Sequence, residues 1–188
     1  MRQITGESEF GEVFFEDARV PRDNLVGQIG EGWRIAMTVL AYERGGVSLA
    51  YATRFGRDLA ALAAACKQLG RTDTAVREKL GRLLVENEVM RANGVRTLAN
   101  FADGKMPGPE SSIEKLFWSE FDKRFRETAL DILGPGGQLL RRSAGARDDV
   151  DWAREFLWSR AGTIYSGSSE IQRNIIAKRV LTLPTEGR

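Results

Sequence analysis

The chain has 188 residues, 42% of them hydrophobic, with a formal net charge of +2, no histidine and a single cysteine, Cys66. That is enough for one sizeable core or one domain with an appendage, and the interleaving of basic with acidic residues argues against a nucleic-acid surface. The missing histidines exclude Ser-His and Cys-His catalysis and histidine metal sites, and one cysteine excludes an internal disulfide or a cysteine zinc cluster. Cys66 reads as an inert core residue and fits a reducing, cytoplasmic location. No apolar run approaches the ~20 residues of a membrane span, and the N-terminus, with Arg2 and Glu7, has no apolar segment of a secretory signal.

Residues 1–30 have strand-and-turn character. Glu12-Val13-Phe14-Phe15-Glu16 is rich in β-formers, and Val20-Pro21, Asn24, Gly27 and Gly30 punctuate a connection. So little sheet needs a partner surface, and the segment reads as the end of another domain. From Trp33 the pattern turns helical, with Trp33, Ala36, Met37, Leu40, Val47 and Tyr51 at three- and four-residue spacing. Gly45-Gly46 weakens that helix locally or admits a close approach, and Gly70 to Asp73 breaks the run. A second helix is predicted from about Thr74 towards Ala102, with Val76, Leu80, Leu83, Leu84 and Met90 on one side. The loop 104–109 follows. Ser111-x-x-Glu114 has the form of a capping box opening a third helix, whose stripe is Ile113, Leu116, Phe117, Phe121, Phe125, Ala129 and Ile132. Gly134-Pro135-Gly136-Gly137 ends it, and Arg141 to Asp151 is a charged, exposed loop. A fourth helical region runs from about Trp152 to Arg160, and a last helix from Ser168 to about Val180. The fold class is therefore all-α: an antiparallel four-helix bundle over 31–188, with a short β-containing appendage over 1–30.

The stretch Thr163-Ile164-Tyr165-Ser166-Gly167-Ser168-Ser169-Glu170-Ile171-Gln172-Arg173 carries the strongest motif. A loop holding Gly167 meets a helix for which Ser168 or Ser169 is a suitable N-cap and Glu170 a suitable first-turn acid. Backbone N–H groups at such a start can receive a ligand phosphate or ribose oxygen.

That stretch resembles the C-terminal signature of the acyl-CoA dehydrogenases, which usually reads I-Y-E-G-T-S-E-I-Q-R. The resemblance extends over nearly the whole chain. Glu9 to Phe15 and Val20-Pro21-x-x-Asn24-Leu25-Val26-Gly27 resemble the end of the family's middle β-domain, and Gly32-Trp33 with Ala36-Met37 the opening of its C-terminal helical domain. Leu133-Gly134 matches as well. The resemblance implies FAD as cofactor, an acyl-CoA substrate, N-terminal α and β domains as partners, and a homo- or hetero-oligomer, dimer or tetramer. The chain alone is then expected to be inactive and to self-associate. Oxidases of acyl-CoA or nitroalkanes share the fold.

In the family a carboxylate removes the α-proton while a hydride leaves Cβ, and burial commonly raises the pKa of that base. Many members carry it where this chain has Ser166, which cannot serve without a histidine to activate it. Other members place the glutamate on the first long helix, at the position of Glu43. Glu43 lies three residues after Leu40 and four before Val47, so it projects from the apolar face. An ordinary ion pair with an arginine is the other role open to it. The resemblance implies that Tyr165 lies beside the flavin or acyl chain, where a capped core tyrosine is the plainer role. It implies that Ser168 keeps the hydroxyl of a flavin-contacting threonine, that Glu170 lies near the ribose or pyrophosphate, and that Arg44 borders the substrate and orients the base, where a structural ion pair is an equal alternative for Arg44. Ser166 would border the substrate. Two departures concern the half of the flavin site contributed to a neighbouring subunit. The Arg-x-x-Phe-Gly motif is Cys66-Lys67-Gln68-Leu69-Gly70 here, and the glutamine before Leu-Gly-Gly is Asp131, with Pro135 for the second glycine. An aspartate is a poor neighbour for a pyrophosphate. Both losses leave open a non-catalytic subunit or assembly module of a mixed tetramer.

Overall fold

The computed structural model describes residues 1–43, 47–105, 108–141, 143–145 and 150–184; for Ala41 and Glu43 it describes the backbone alone. Six α-helices follow in order: α1 (Gly32–Glu43), α2 (Val47–Gln68), α3 (Thr74–Ala102), α4 (Ser111–Leu133), α5 (Trp152–Gly162) and α6 (Ser169–Ile175). A 3-10 turn, Gly134–Gln138, closes α4, and a π-helical turn, Ile176–Val180, extends α6.

Local chemistry sets the ends. Asp73 caps α3 by accepting the Val76 N–H at 3.1 Å, Asp151 caps α5 through the Arg154 N–H at 3.1 Å, and Ser168 caps α6 through the Ile171 N–H at 3.4 Å. The antiparallel packing of α2 on α3 depends on Gly94, where a Cβ would lie 2.7 Å from the Leu49 backbone nitrogen. Thr97–Glu114, Glu86–Arg124 and Lys79–Asp131 contacts run α3 antiparallel to α4. Lys115–Gly162 and Arg126–Glu155 do the same for α4 and α5. The core is thus α2, α3, α4 and α5, as the bundle expectation required, and Ser169 anchors α6 to Glu120 of α4 at 2.8 Å.

Phe55, Leu62, Phe121 and Phe125 are essentially inaccessible, each such side chain contributing about 1.5–3 kcal/mol. Among them sits a charge. Arg126, 0% exposed, contacts Asp58 at 2.6 Å, Asp122 at 2.9 Å and Glu155 at 3.7 Å. Its guanidinium lies 4.8 Å from the Phe125 ring centroid and 5.9 Å from that of Trp152. Burial pushes the Asp122 carboxyl above the usual range, and Arg126 opposes that rise.

Several expectations need correction. Residues 1–30 form no strand; their one regular element is a 3-10 turn, Arg22–Asn24. The β-formers Val13, Phe14 and Phe15 are 76–83% exposed, and a lone extended segment has nothing here to complete its backbone hydrogen bonds. Helix α1 forms, yet Trp33 is 80% exposed, with Met37 and Leu40 exposed too. On α3, Leu84 is exposed while Leu83 and Met90 are buried. On α4, Ile113 is exposed and Leu116 and Phe117 are half-buried. The buried face is rotated to include Ser112, Glu114, Lys115, Asp122 and Arg126, because polar groups with partners, here Glu114, Lys115, Asp122 and Arg126, can face a core. Glu114 is not a capping glutamate. Glu110 is the N-cap residue, and Ser111 donates instead to the Gly108 carbonyl at 2.9 Å. The Arg141–Asp151 loop is exposed at Arg141 and 143–145; Arg142 and 146–149 lie outside the described residues.

Candidate active site

A cleft of about 250 Å³ opens where four parts of the chain converge. The end of α1 contributes Leu40, the start of α2 Ser48 and Tyr51, the start of α4 Glu114 and Trp118, and the loop before α6 Tyr165 and Ser166. The α2 residues lie one turn apart, as do Glu114 and Trp118 on α4, so two helices present matched rungs to one space.

One rung is aromatic. Tyr51 stacks on Trp118 at 4.2 Å with a 13° interplanar angle, and Tyr165 lies 6.1 Å from Trp118. The Tyr51 and Tyr165 hydroxyls share a 3.4 Å hydrogen bond. Burial, helped by that bond, pushes the Tyr165 phenol far up, so it is a neutral donor at any ordinary pH. The other rung is polar. Ser48 Oγ donates to Glu114 Oε2 at 2.6 Å, and Thr97 Oγ1 of α3 donates to Glu114 Oε1. Lys115 Nζ donates to the Gly162 carbonyl at 2.9 Å.

The loop carrying Ser166 is held in a specific shape. Ser166 is left-handed at φ 54°, unusual for a residue with a Cβ. Gly167 follows at φ +91°, where a Cβ would meet Gln172 Nε2 at 2.5 Å. That fully buried amide donates to the Ser166 and Gly167 carbonyls, both at 3.2 Å. Strain of this kind persists where surrounding structure enforces it, and it collects at functional loops.

The structure brings Tyr165 and Ser166 together at the cleft and places Ser168 and Glu170 just beyond, at the start of α6. Glu43 ends α1, one turn after the cleft residue Leu40. The Glu43 side chain and the whole of Arg44 lie outside the described residues. Sequence reasoning missed Glu114, Ser48 and Trp118 as site residues. The signal available for Glu114 was its place on the face of α4 that Lys115 and Trp118 share, and the capping-box pattern masked it.

These residues fit one wall of a flavin site. Ser168 Oγ accepts the Ile171 N–H and turns its hydroxyl toward the Glu170 carboxylate, so a flavin acceptor atom would have to compete with Glu170 for that proton. Glu170 is exposed, and its carboxyl is held below the usual range by its own backbone N–H and by Ser168. An ionised carboxylate suits a ribose hydroxyl better than a pyrophosphate. On the opposite side of the bundle Cys66 is buried, and Asp131 is exposed and paired with Lys79, which lowers its pKa. Arg71 donates to the Ile132 carbonyl beside the Gly134–Gln138 turn.

The comparisons with known proteins agree with this architecture. The family model described as "Acyl-CoA dehydrogenase, C-terminal domain" matches residues 30–181. Acyl-CoA dehydrogenase IpdE1 of Mycolicibacterium smegmatis is 42% identical over 187 residues, covering 99% of this chain and 45% of that protein. IpdE1 of Mycobacterium tuberculosis is 40% identical, covering 99% and 47%. A solved steroid ACAD, the Tcur3481-Tcur3483 G363A variant, superposes with a TM-score of 0.83 at 25% identity, covering 92% of this chain and 46% of that one. The chain thus spans just under half the length of these two curated relatives. By the family match and by its fold, the chain belongs to the acyl-CoA dehydrogenase family and corresponds to its C-terminal helical domain.

Proposed function

We propose that this chain is the C-terminal part of a flavin-dependent enzyme that dehydrogenates an acyl-CoA thioester between Cα and Cβ, with Glu43 as the base. The cleft is the observation that carries this reading. It joins the end of α1, one turn before Glu43, to the Tyr165–Ser166 loop. On this reading the family's two base positions serve one space, and a serine at one leaves room for a carboxylate at the other. FAD, when bound, supplies the hydride acceptor. Tyr165 and Ser168 would line the ring side of that cofactor, and Glu170 would reach its ribose. Glu43 would hold the α-proton on a carboxylate oxygen, and Arg44 would orient it. The Tyr51–Trp118–Tyr165 wall would exclude water from the reacting carbons. The resemblance to a steroid ACAD favours a bulky acyl group.

Helix α1 leaves Trp33, Val39 and Tyr42 exposed. Such a patch is suited to the preceding α and β domains of the full protein and to sister subunits in a homo- or hetero-oligomer. The 188-residue chain alone is accordingly expected to self-associate and to hold FAD weakly. None of the helices, among the described residues, is long and apolar enough to cross a membrane, and a cytoplasmic location accords with the lone thiol of Cys66.

A second reading, a non-catalytic subunit or assembly module of a mixed tetramer, is favoured by Cys66 and Asp131, which remove the family's arginine and glutamine from the neighbour's half of the flavin site. Two preparations separate the two readings: the full-length protein purified alone, and the same protein purified with a neighbouring homologue. The first reading predicts bound FAD that an acyl-CoA bleaches anaerobically. Absence of flavin from both preparations would sink it.

A further inference from the structure

We propose that Gln172 is a positioning residue for the reaction: its buried amide sets the depth at which Tyr165 and Ser166 stand in the cleft. The inference rests on the reading of the cleft as the acyl site and adds the residue that fixes one of its walls.

Three observations meet at this side chain. The first is strain. The loop from Thr163 to Ser169 is held at its base by main-chain hydrogen bonds, Tyr165 N–H to the Ala161 carbonyl at 3.0 Å and Ser169 N–H to the Thr163 carbonyl at 2.9 Å. Its tip is Ser166 at φ 54° and Gly167 at φ 91°, two consecutive left-handed residues, the first of which carries a Cβ. Among the described residues, the only hydrogen bonds of Ser166 and Gly167 are those from Gln172 Nε2 to their carbonyls, each at 3.2 Å. That amide is what opposes relaxation of the tip.

The second observation is an unpaired acceptor. Gln172 is 0% exposed, and its Oε1 has no hydrogen-bond partner among the described residues. A buried acceptor without a partner is costly. Turning the amide over would set Oε1 against two carbonyl oxygens, lone pairs against lone pairs. Both N–H protons therefore stay at the tip, and the cost falls on Oε1. The third observation is space. A Cβ on Gly167 would lie 2.5 Å from Gln172 Nε2, so the tip admits the amide only because residue 167 is glycine.

The clamp has a fixed base. Ser169 and Arg173, on either side of Gln172, both contact Glu120 of α4, at 2.8 and 3.6 Å. Helix α4 also carries Trp118, the wall of the cleft against which Tyr165 lies. Gln172 thus ties the tip to the helix that bears the neighbouring wall. It is not among the residues lining the cleft, so it acts through the loop and not on a ligand.

The test uses the full-length flavoprotein, with its partner subunit if the two purify together, under conditions where each variant is folded. The readout is the rate of anaerobic flavin reduction per bound FAD, with the fastest of butanoyl-, octanoyl- and cyclohexylpropanoyl-CoA at saturation. Gln172→Met keeps the length of the side chain and removes both donors. Its rate should fall about 10- to 100-fold, the cost of a small misplacement at a reacting centre. Gln172→Glu is the conservative rescue. Protonated, its carboxyl donates one hydrogen bond to the tip; ionised, it only presents lone pairs to the two carbonyls. Burial raises the pKa of such a group, so its rate relative to the unmodified protein should stand above that of Gln172→Met at about pH 6 and fall to the same level by about pH 9. The ratio for Gln172→Met stays flat over that range. A merely structural Gln172 would lower FAD content and the unfolding midpoint and leave the rate per bound flavin unchanged. That result, or a Gln172→Glu ratio independent of pH, overturns the inference while leaving dehydrogenation intact.

If none of the three probes reduces the flavin of the unmodified protein, the failure belongs to the dehydrogenase reading, and tyrosine absorbance decides the inference without the reaction. Burial and the Tyr51 hydroxyl hold the Tyr165 phenol protonated far above its ordinary range, so at about pH 11 it stays neutral while exposed phenols ionise. One more tyrosine ionised per chain in Gln172→Met than in the unmodified protein supports the clamp; equal numbers overturn it.

Discussion

Arg126 draws three carboxylates to one point in the core of the bundle. Replacing it with methionine keeps the length of the side chain and its contact with Phe55, Phe125 and Trp152 but removes the charge. Asp122, 6% exposed, then keeps its carboxylate without the partner 2.9 Å away, and Asp58 loses a contact at 2.6 Å. Glu155 is less affected, because Arg54 and Arg154 also hold it. Breaking one side of a buried ion pair costs about 3–5 kcal/mol, a large share of the ~5–15 kcal/mol that holds a domain together. Urea unfolding of the full-length protein, followed by tryptophan fluorescence, should register that loss. The deficit has a predictable pH dependence. Burial already raises the Asp122 pKa above its ordinary value of 3.8, so the folded state binds that proton more tightly than the unfolded chain. The contribution of this group favours folding below 3.8 and is lost as pH rises through the folded value. Without Arg126 the folded value rises further, and the deficit of the variant should shrink on acidification. Adding Asp122→Asn should recover part of the loss at neutral pH. A deficit under about 1 kcal/mol, or one that grows on acidification, would contradict this account of the core.

Two glycines give further predictions. Gly94→Ala places a methyl 2.7 Å from the Leu49 backbone; the overpacking cost of about 1–3 kcal/mol should outweigh a gain of up to ~1 kcal/mol in helix propensity, so the unfolding midpoint should fall rather than rise. Gly167→Ala forces a left-handed alanine against Gln172 and displaces the Tyr165–Ser166 loop; flavin reduction should slow at least ~10-fold, since small misplacements at a reacting centre are costly, and the unfolding midpoint should fall as well.

Much of this was legible in the chain. The helix-forming segments, their breaks at Gly70 and Gly134, and the serine cap before α6 all follow from periodicity and capping chemistry, and the structure has them. The motif around Tyr165 and Ser166 pointed to a loop that does border the cleft. What periodicity could not supply was the rotation of α4. An apolar stripe through Ile113 and Phe117 was the natural expectation, yet buried pairs such as Asp122–Arg126 and Glu114–Ser48 turn the polar residues inward. Asp122 and Arg126 are one turn apart, but the partners that draw this face inward, Ser48 for Glu114 and Asp58 for Arg126, lie more than 60 residues away, so no local window contains them. Glu114 shows the cost: its spacing from Ser111 imitates a capping box, and only the arrival of Ser48 and Thr97 reveals it as part of the cleft. The exposed face of α1 has the same origin, because a helical stripe specifies a buried face without specifying which partner covers it.

The central claim is that Glu43 takes the α-proton. Anaerobic stopped-flow mixing of the full-length flavoprotein with an acyl-CoA measures that step directly, as bleaching of the flavin in a single turnover. Glu43→Gln keeps the size and hydrogen-bonding capacity of the side chain and removes the basic oxygen. The account predicts acyl-CoA binding close to the unmodified protein and a bleaching rate lower by about 10²–10⁴. A Glu43→Gln protein that bleaches at nearly the unmodified rate would contradict it, leaving Glu43 an ion-pair residue and the base elsewhere.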